Sequence, residues 1–420
     1  MKTLTIERIG HRGEGVSHDN GVRVFVPYAL TGEIVTATIR GNYAEIIDIL
    51  TPAPHRVAPV CDYYSQCGGC AVQTLQHDAY LDWKRGLVEK AGINAGVVFN
   101  VAPVIDAHNI GRRRVTFHAR MISGRARVGF MAARSHQLVE IDACPLLSPD
   151  LSGAMIAARD IAQILASRGK PLDIAITTTP EGLDIDLRGA GPLDKHETAA
   201  LMKTARMHQL ARLTNHGQLL TLNQTPTVTI DTLRAPLPSG AFLQATHAGE
   251  EEIARLVILS LSRAKSVADL FCGIGAFALR LARRSSVAAY DNSAPAIEAL
   301  QATVRDAAFL KPVSAQTRDL FTRPLTAQEL EAFDGVVFDP PRAGALAQAK
   351  ELAQSTVKTI VAVSCNAQSF SRDAAILIAG GYSVGAVTPI DQFRYSPHVE
   401  IVATFSHRDS HKRAKRRLLG

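Results

Sequence analysis

The sequence predicts an α/β chain in three parts: a small β-barrel over residues 1–51, an α+β segment over 52–235, and a parallel sheet with helices on both faces over 236–420. Three observations carry this reading. Beyond "APLPSGAF", strand-like and helix-like runs alternate at a regular pitch, the βαβ rhythm of a doubly wound sheet. The first fifty residues break instead into short runs of alternating polarity separated by Gly, Asn and Asp turn signals. Between these regions the proline-rich "TPAPHRVAPV" reads as a linker.

Taken in order, "TLTIERIG", "GVRVFVP", "GEIVTATIRG" and "AEIIDIL" suit a five-stranded barrel of the oligonucleotide-binding kind. The middle segment mixes a helical stretch, "YLDWKRGLVEKAGI", with strand-like runs such as "RRRVTFHARM" and "LDIAITTTPEGLDIDLRG". The opening "MKTLTIERIG" has no apolar leader and no later stretch reaches membrane-span length, so a cytoplasmic protein without a membrane partner is expected. No obligate protein partner is evident. The net charge of +7 is concentrated in "GRRRVTFHARMISGRARVGFMAARSH" and in the tail "SHRDSHKRAKRRLLG". Two separate basic clusters point to a polyanionic partner and tilt the reading towards nucleic acid.

Six cysteines are unevenly spread. Cys61, Cys67 and Cys70 crowd into "CDYYSQCGGC", whereas Cys144, Cys272 and Cys365 stand apart. Three thiolates need a fourth ligand to complete an iron–sulfur or structural zinc set, and Cys144 in "IDACPLL" is the candidate. Spacing alone leaves iron and zinc both open. The two adjacent tyrosines, Tyr63 and Tyr64, read equally as base-stacking rings and as packing.

"SVADLFCGIGAFALRLARR" is a strand, a glycine loop and a helix, with Gly273 and Gly275 in G-x-G-x-x-A spacing. Such a loop brings backbone amides to a ligand at the carboxyl edge of a sheet. Asp291, Asp319 and Asp339 then follow successive strands, placing one acid near a ribose, one near an adenine edge and one near the reactive end of a cofactor. That ordered series favours S-adenosylmethionine over a dinucleotide.

Together these residues resemble the RNA uracil-C5 methyltransferase family over nearly the full length of the chain. The matching stretches are "GEGVSHDNGVRVFVPYALTGE", "CDYYSQCGGC" with "IDACPLL", "FLQ" at 242–244, "DLFCGIG", "DPPRAG", "SCNAQSFSRD" and "DQFRYSPHVE". The resemblance implies a TRAM-type barrel, a central iron–sulfur domain and a class I (Rossmann-like) methyltransferase domain, in that order. It implies a [4Fe-4S] cluster on Cys61, Cys67, Cys70 and Cys144. It also implies cofactor contacts from Gln244, Phe271, Gly273, Gly275, Asp291, Asp319 and Asp339. The chain departs from the family pattern at Ala276, where relatives often carry Asn, and at Asp291, where Glu is commoner. A third departure is "DQFRYSP", where "DMFPxTx" is the more usual pattern.

On residue type alone Cys365 reads as a small buried residue and Glu400 as a strand-end carboxylate. The resemblance gives them chemistry: a thiolate adds to uracil C6, C5 becomes nucleophilic enough to take a methyl group, and a base removes the C5 proton. The expectation is 5-methyluridine formation in 23S ribosomal RNA, with transfer RNA as the alternative substrate. An iron–sulfur redox or radical S-adenosylmethionine enzyme is a rival, against which stands the lack of C-x3-C-x2-C spacing. A non-catalytic RNA-binding module is a third reading, and it leaves Cys365 without a role.

Overall fold

The computed structural model describes residues 1–407; the basic tail that the sequence singles out starts at 406, and from 408 onward it lies outside the described residues. Three sheets organise the chain. The first comprises Lys2–Thr5, Arg8–Ile9, Gly15–Asp19, Val22–Val26, Ile34–Arg40 and Tyr43–Thr51. Lys2–Thr5 pairs with Ile34–Arg40 at one edge, while Arg8–Ile9 pairs with Gly15–Asp19 at the other. The bond from Glu7 N to Val16 O (2.9 Å) continues that second pairing, so one bent N-terminal strand closes the sheet on itself. Six strand segments therefore act as five strands around a core of Leu4, Ile6, Val24, Val26, Val35 and Ala37. Gly15–Asp19 was hidden in sequence because its alternation is short and polar.

The proline-rich stretch after this sheet is clamped and does not behave as a free linker. Arg56 forks onto the fully buried Glu33 carboxylate, with Nε to Oε1 at 2.5 Å and Nη2 to Oε2 at 2.9 Å. Glu33 also accepts from the backbone N–H of Leu30 and of Ala53. A bidentate, desolvated pair of this kind fixes orientation as well as energy.

The second sheet has seven strands, in the order Leu138–Glu140, Arg125–Met131, Arg114–Ile122, Leu172–Thr179, Gly182–Arg188, Arg212–Asn215, Gln218–Leu222. Helices Ala154–Ile164 and Lys195–Met207 cover one face, the second started by a capping box between Asp194 and Glu197.

The third sheet has eight strands: Val313–Thr317, Ser286–Asp291, Ser266–Leu270, Gly335–Phe338, Thr359–Ser364, Glu400–His407, Tyr382–Asp391 and Ile105–Asp106. The first five are parallel and Glu400–His407 runs antiparallel to both neighbours. Chain order reverses between Ser266–Leu270 and Gly335–Phe338, which opens a ligand crevice at their carboxyl ends. The division at residue 236 does not match the packing. Ile105–Asp106 pairs with Tyr382–Asp391, helix His77–Asn94 packs its Val88 and Ala91 into the core on one face of this sheet, and the hairpin of Thr227–Ile230 and Leu233–Pro236 joins the core on the other. Residues 77–107 thus belong to the third sheet in space, although a basic, strand-rich segment separates them in sequence.

Helix His77–Asn94 is tied to that sheet by a fully buried ion pair, Lys84 Nζ to Asp391 Oδ1 at 2.8 Å. Lys84 also donates to the carbonyls of Phe393 and His398, and the Tyr80 hydroxyl donates to Asp391. Burial lowers the Lys84 pKa and Asp391 opposes that shift. Among the described residues, no helix is long and apolar enough to cross a membrane.

Removing one partner of a buried pair leaves an uncompensated charge, typically a loss of about 3–5 kcal/mol. Lys84→Met is therefore expected to lower stability by about that amount in urea unfolding. A loss of under about 1 kcal/mol, the scale of an exposed pair, would contradict the anchoring role given to this residue.

Candidate active site

The crevice is walled by strand ends. The loop after Ser266–Leu270 begins at Phe271, whose φ of 64° is left-handed, and its ring meets Phe321 at a centroid separation of 5.4 Å. Gly275 has φ of 92°, and a Cβ there would stand 2.5 Å from Leu300 Cδ1, so only glycine lets the loop close onto the next helix. Asp291 accepts from Gly273 N (2.9 Å) on one oxygen and from Ser293 N (2.8 Å) on the other. Its carboxylate thereby joins the glycine loop to helix Ala294–Arg305, which Ser293 caps. Asp319 is half-buried and closes a local turn, accepting from Phe321 N and from the Thr322 hydroxyl, each at 2.9 Å. Ala276, one of the departures noted above, gives its carbonyl to Arg280 at 2.7 Å.

Asp269 was missed in sequence. It lies at 0% exposure in Ser266–Leu270, and neither carboxylate oxygen has a hydrogen-bond partner. Burial raises its pKa well above the carboxylate range, with the Ala278 backbone N–H pulling the other way.

Cys365 directly follows strand Thr359–Ser364 and precedes Asn366, whose side chain caps helix Ala367–Ala379 by accepting from Gln368 N and Ser369 N. Across the antiparallel ladder Ser364 is paired with Ile401. Cys365 follows Ser364 and Glu400 precedes Ile401, so both lie at the same end of this strand pair, and the Glu400 carboxyl acts on the Cys365 thiol. A parallel strand in this position would not bring the two together.

Glu400 is 2% exposed. Its Oε1 accepts from Gln392 Nε2 (3.1 Å), and Gln392 Nε2 also reaches Gln244 Oε1 (2.5 Å). Gln244 Nε2 in turn donates to Asp339 Oδ2 (3.1 Å). A chain of two amides thus links two carboxyl groups. Burial first, and then the charge of Asp339, pushes the Glu400 carboxyl up to about 8. Burial lifts Asp339 to about 7 against the lowering pull of Gln244. The Cys365 thiol is pushed up to about 11 by burial, then by Glu400 and Asp339, with Arg342 opposing. The site therefore holds its protons until positive charge or a hydrogen-bonding substrate favours the ionised forms.

The three consecutive arginines that open the arginine-rich run are engaged within the fold, whereas Arg125 further along it is exposed. Arg113 is ion-paired to the buried Glu250 and donates to the Gln244 carbonyl (3.0 Å), while Arg280 joins the same Glu250. Arg112 lies over the Phe393 ring at 5.6 Å and Arg114 over Phe242 at 4.8 Å. Burial, Arg113 and Arg112 depress Arg114 to about 10, with Glu400 and Cys365 among the groups that pull it back up. Arg114 and Arg342 thus face the Cys365–Glu400 pair, and neither was assigned to the site from sequence. His398, pulled down to about 4 by burial and Arg342, accepts from Arg342 at 2.8 Å.

Cys61, Cys67, Cys70 and Cys144 line one cavity of about 630 Å³, which also touches Arg112, Arg114, Phe242 and Phe393. All four are free thiols. Gly68 is needed here because a Cβ would stand 2.8 Å from Ala133 N. Among the described residues no three His, Cys, Asp or Glu side chains form a group that could hold a metal ion, so the four thiols share a cavity without a preformed site. Tyr63 hydrogen-bonds Asp142, and Tyr64 bonds the Ala71 carbonyl and packs edge-on to Tyr28, so both rings pin the cysteine loop. Cys272 is buried and points to the Gly273 carbonyl, apart from this cavity.

A family model described as tRNA (Uracil-5-)-methyltransferase matches residues 237–408. An RNA methyltransferase of Brucella suis biovar 1, itself uncharacterized, is 41% identical, with 96% of this chain and 97% of the relative covered. The 23S rRNA (uracil(1939)-C(5))-methyltransferase of Chromohalobacter salexigens is 31% identical, with 94% of this chain and 87% of that one covered. Among solved structures, the Pyrococcus abyssi tRNA (uracil-54, C5)-methyltransferase in complex with S-adenosyl-L-homocysteine superposes with a TM-score of 0.73. It covers 96% of this chain and 99% of its own at 19% identity, which shows a shared class I fold. The chain belongs to the RNA uracil-5 methyltransferase family, and it is an S-adenosylmethionine-dependent RNA (uracil-C5) methyltransferase.

Proposed function

We propose that this enzyme forms 5-methyluridine in 23S ribosomal RNA, with Cys365 as nucleophile and Glu400 as base. The observation that carries the mechanism is the antiparallel strand pair that brings Cys365 and a buried Glu400 to the same end, with Arg114 and Arg342 acting on them. Similarity over 94% of the chain to an enzyme named for 23S rRNA supports the substrate.

Cys365 gives its proton to solvent and the thiolate adds to C6 of the uracil, which breaks the C5–C6 π bond and places negative charge on O4 through the C5 enolate. Arg114 and Arg342 supply the positive field for that charge. S-adenosylmethionine supplies the methyl group to C5 and departs as S-adenosylhomocysteine. Glu400 accepts the C5 proton, and the electron pair released re-forms the C5–C6 double bond as the Cys365 thiolate leaves. Gln244, Phe271, Gly273, Gly275, Asp291, Asp319 and Asp339 form the cofactor side of the crevice. A base held in folded RNA reaches this depth only if it is extruded from its stack.

The closed N-terminal sheet is read as a TRAM-type RNA-binding barrel, the seven-stranded sheet with the cysteine loops as the iron–sulfur domain, and the eight-stranded sheet together with residues 77–107 as the catalytic domain. The convergence of four thiols on one cavity supports a [4Fe-4S] cluster on Cys61, Cys67, Cys70 and Cys144. A cluster bound there would cross-link the 61–70 and 141–147 loops, and no step of the reaction runs through it.

Incubation with S-adenosylmethionine and 23S rRNA fragments containing 5-fluorouridine is expected to trap a covalent protein–RNA adduct, because fluorine cannot leave C5 as a proton does. Cys365→Ala should form none. Adduct formation by that variant would overturn the nucleophile assignment, and adducts confined to transfer RNA would overturn the substrate. Anaerobically purified protein is expected to carry about four iron atoms with equal acid-labile sulfide, lost in Cys70→Ser. Iron-free protein of full activity would remove the cluster from the account.

Glu400 also leaves a signature in stability. Its folded pKa of about 8 lies above the ordinary 4.5, so between these values the unfolded chain has released a proton that the fold retains. Stability contributed by this group is lost as pH rises through that window. Glu400→Gln removes the loss and should melt above the parent at pH 8.5, by about 2–4 °C per kcal/mol, and level with it near pH 4.5. An equal difference at both pH values would mean that Glu400 does not titrate this way.

A further inference from the structure

Gln392 belongs to "DQFRYSPHVE", at the point where this chain leaves the pattern it otherwise resembles. It is at 0% exposure, and each polar atom of its amide is committed. Oε1 accepts from the backbone N–H of Thr246 at 3.2 Å, and that N–H can only donate. This fixes the amide orientation: the NH2 group must face the two remaining neighbours, Gln244 Oε1 and Glu400 Oε1. The same reasoning turns the Gln244 NH2 toward Asp339. Helix His247–Ser260 crowds Gln392 from behind, where a Cβ on Gly249 would stand 2.9 Å from Gln392 Oε1 and 3.0 Å from its Cβ. The amide has no second orientation open to it.

One consequence concerns the two oxygens of Glu400. Oε1 is occupied by the Gln392 donor, whereas Oε2 is buried with no hydrogen-bond partner. A buried acceptor left open beside a nucleophile is a proton-receiving atom held in reserve. We propose that Gln392 is a positioning residue that occupies Oε1 of Glu400, leaves Oε2 as the atom that takes the C5 proton, and ties that atom to the cofactor side through Gln244 and Asp339. The inference rests on Glu400 acting as the base.

The groups facing Glu400 are Asp339 from the end of Gly335–Phe338, Cys365 from the end of Thr359–Ser364, Arg114 from the seven-stranded sheet and Arg342 from the proline turn. All four remain when Gln392 is changed. A neutral donor to a carboxylate favours its ionised form, so losing it makes the base harder to ionise.

Gln392→Met keeps the side-chain length and removes the donor, and Gln392→Glu keeps the acceptor for Thr246 while removing the obligate donor. In both, the acid limb of the kcat–pH profile should move about one unit to higher pH, with turnover reduced about tenfold or more at pH 7 and largely regained at pH 9. Ordinary uridine RNA should then accumulate a methylated covalent protein–RNA intermediate at pH 7, as it should in Glu400→Gln, because proton removal is the slowed step. Adduct formation with 5-fluorouridine RNA, which needs no proton removal, should proceed at the parental rate. A Gln392→Met or Gln392→Glu profile that superposes on the parent, or 5-fluorouridine adducts lost in step with turnover, would overturn the assignment of Gln392. Parent enzyme that forms no 5-fluorouridine adduct at all would overturn the Cys365–Glu400 reading beneath it, a separate outcome.

Discussion

The arrangement of the active site depends on the buried contact between Lys84 and Asp391. Both side chains are at 0% exposure, and a lone charge at such depth is strongly unfavourable, so neither group can leave without the other. Lys84 sits on a helix far upstream in sequence, while Asp391 ends the strand that leads to Gln392. By donating to the carbonyls of Phe393 and His398 as well, the ammonium group holds both ends of the turn that precedes Glu400. Tyr80 adds a second clasp, giving its hydroxyl to Asp391 and accepting from Tyr395 N. The placement of Glu400, of the Gln392 amide beside it and of the His398 imidazole against Arg342 all follow from where this turn is pinned.

The reversed strand Glu400–His407 does the rest. In a wholly parallel sheet the residues at carboxyl ends come from successive strand–helix units, and a strand's first residue lies at the opposite edge. Running one strand backwards brings its first residue to the crevice, which is why Glu400 and Cys365 meet. The crevice thus receives a thiol from a strand's end and a carboxyl from a strand's start. Arg113, Glu250 and Arg280 then lock the seven-stranded sheet to the glycine-loop scaffold, so Arg114 enters the same space from another sheet.

Much of this was legible because local signals and motifs carry it. The βαβ rhythm located the parallel strands, and the acids at their ends stand where strand-end reasoning put them. Cys365 and Glu400 were chosen from motifs, and their neighbourhood follows from a register that no local window contains. What escaped detection was long-range. Ile105–Asp106 is two residues long, too short for any periodicity, and becomes a strand only because Tyr382–Asp391 offers it an edge. The prolines of 52–60 suggested a linker, whereas Arg56 reaches back to a carboxylate buried by other residues. Three consecutive arginines implied a polyanion surface; the structure gives one of them to an ion pair and two to aromatic faces. Gln392 and Asp269 have ordinary residue types, and only their burial marks them.

The clamped start of the chain has a consequence for how a large RNA is received. Besides Arg56 on Glu33, the N-terminal sheet is fastened by Trp83 Nε1 to the Gly10 carbonyl at 3.2 Å and by Arg134 to Glu14 at 3.1 Å. A barrel on a slack tether would sweep a volume, and capturing RNA would spend affinity on stopping that motion. Here the barrel is a jig with its angle preset. An RNA that touched both it and the crevice would have to present its target at the matching span.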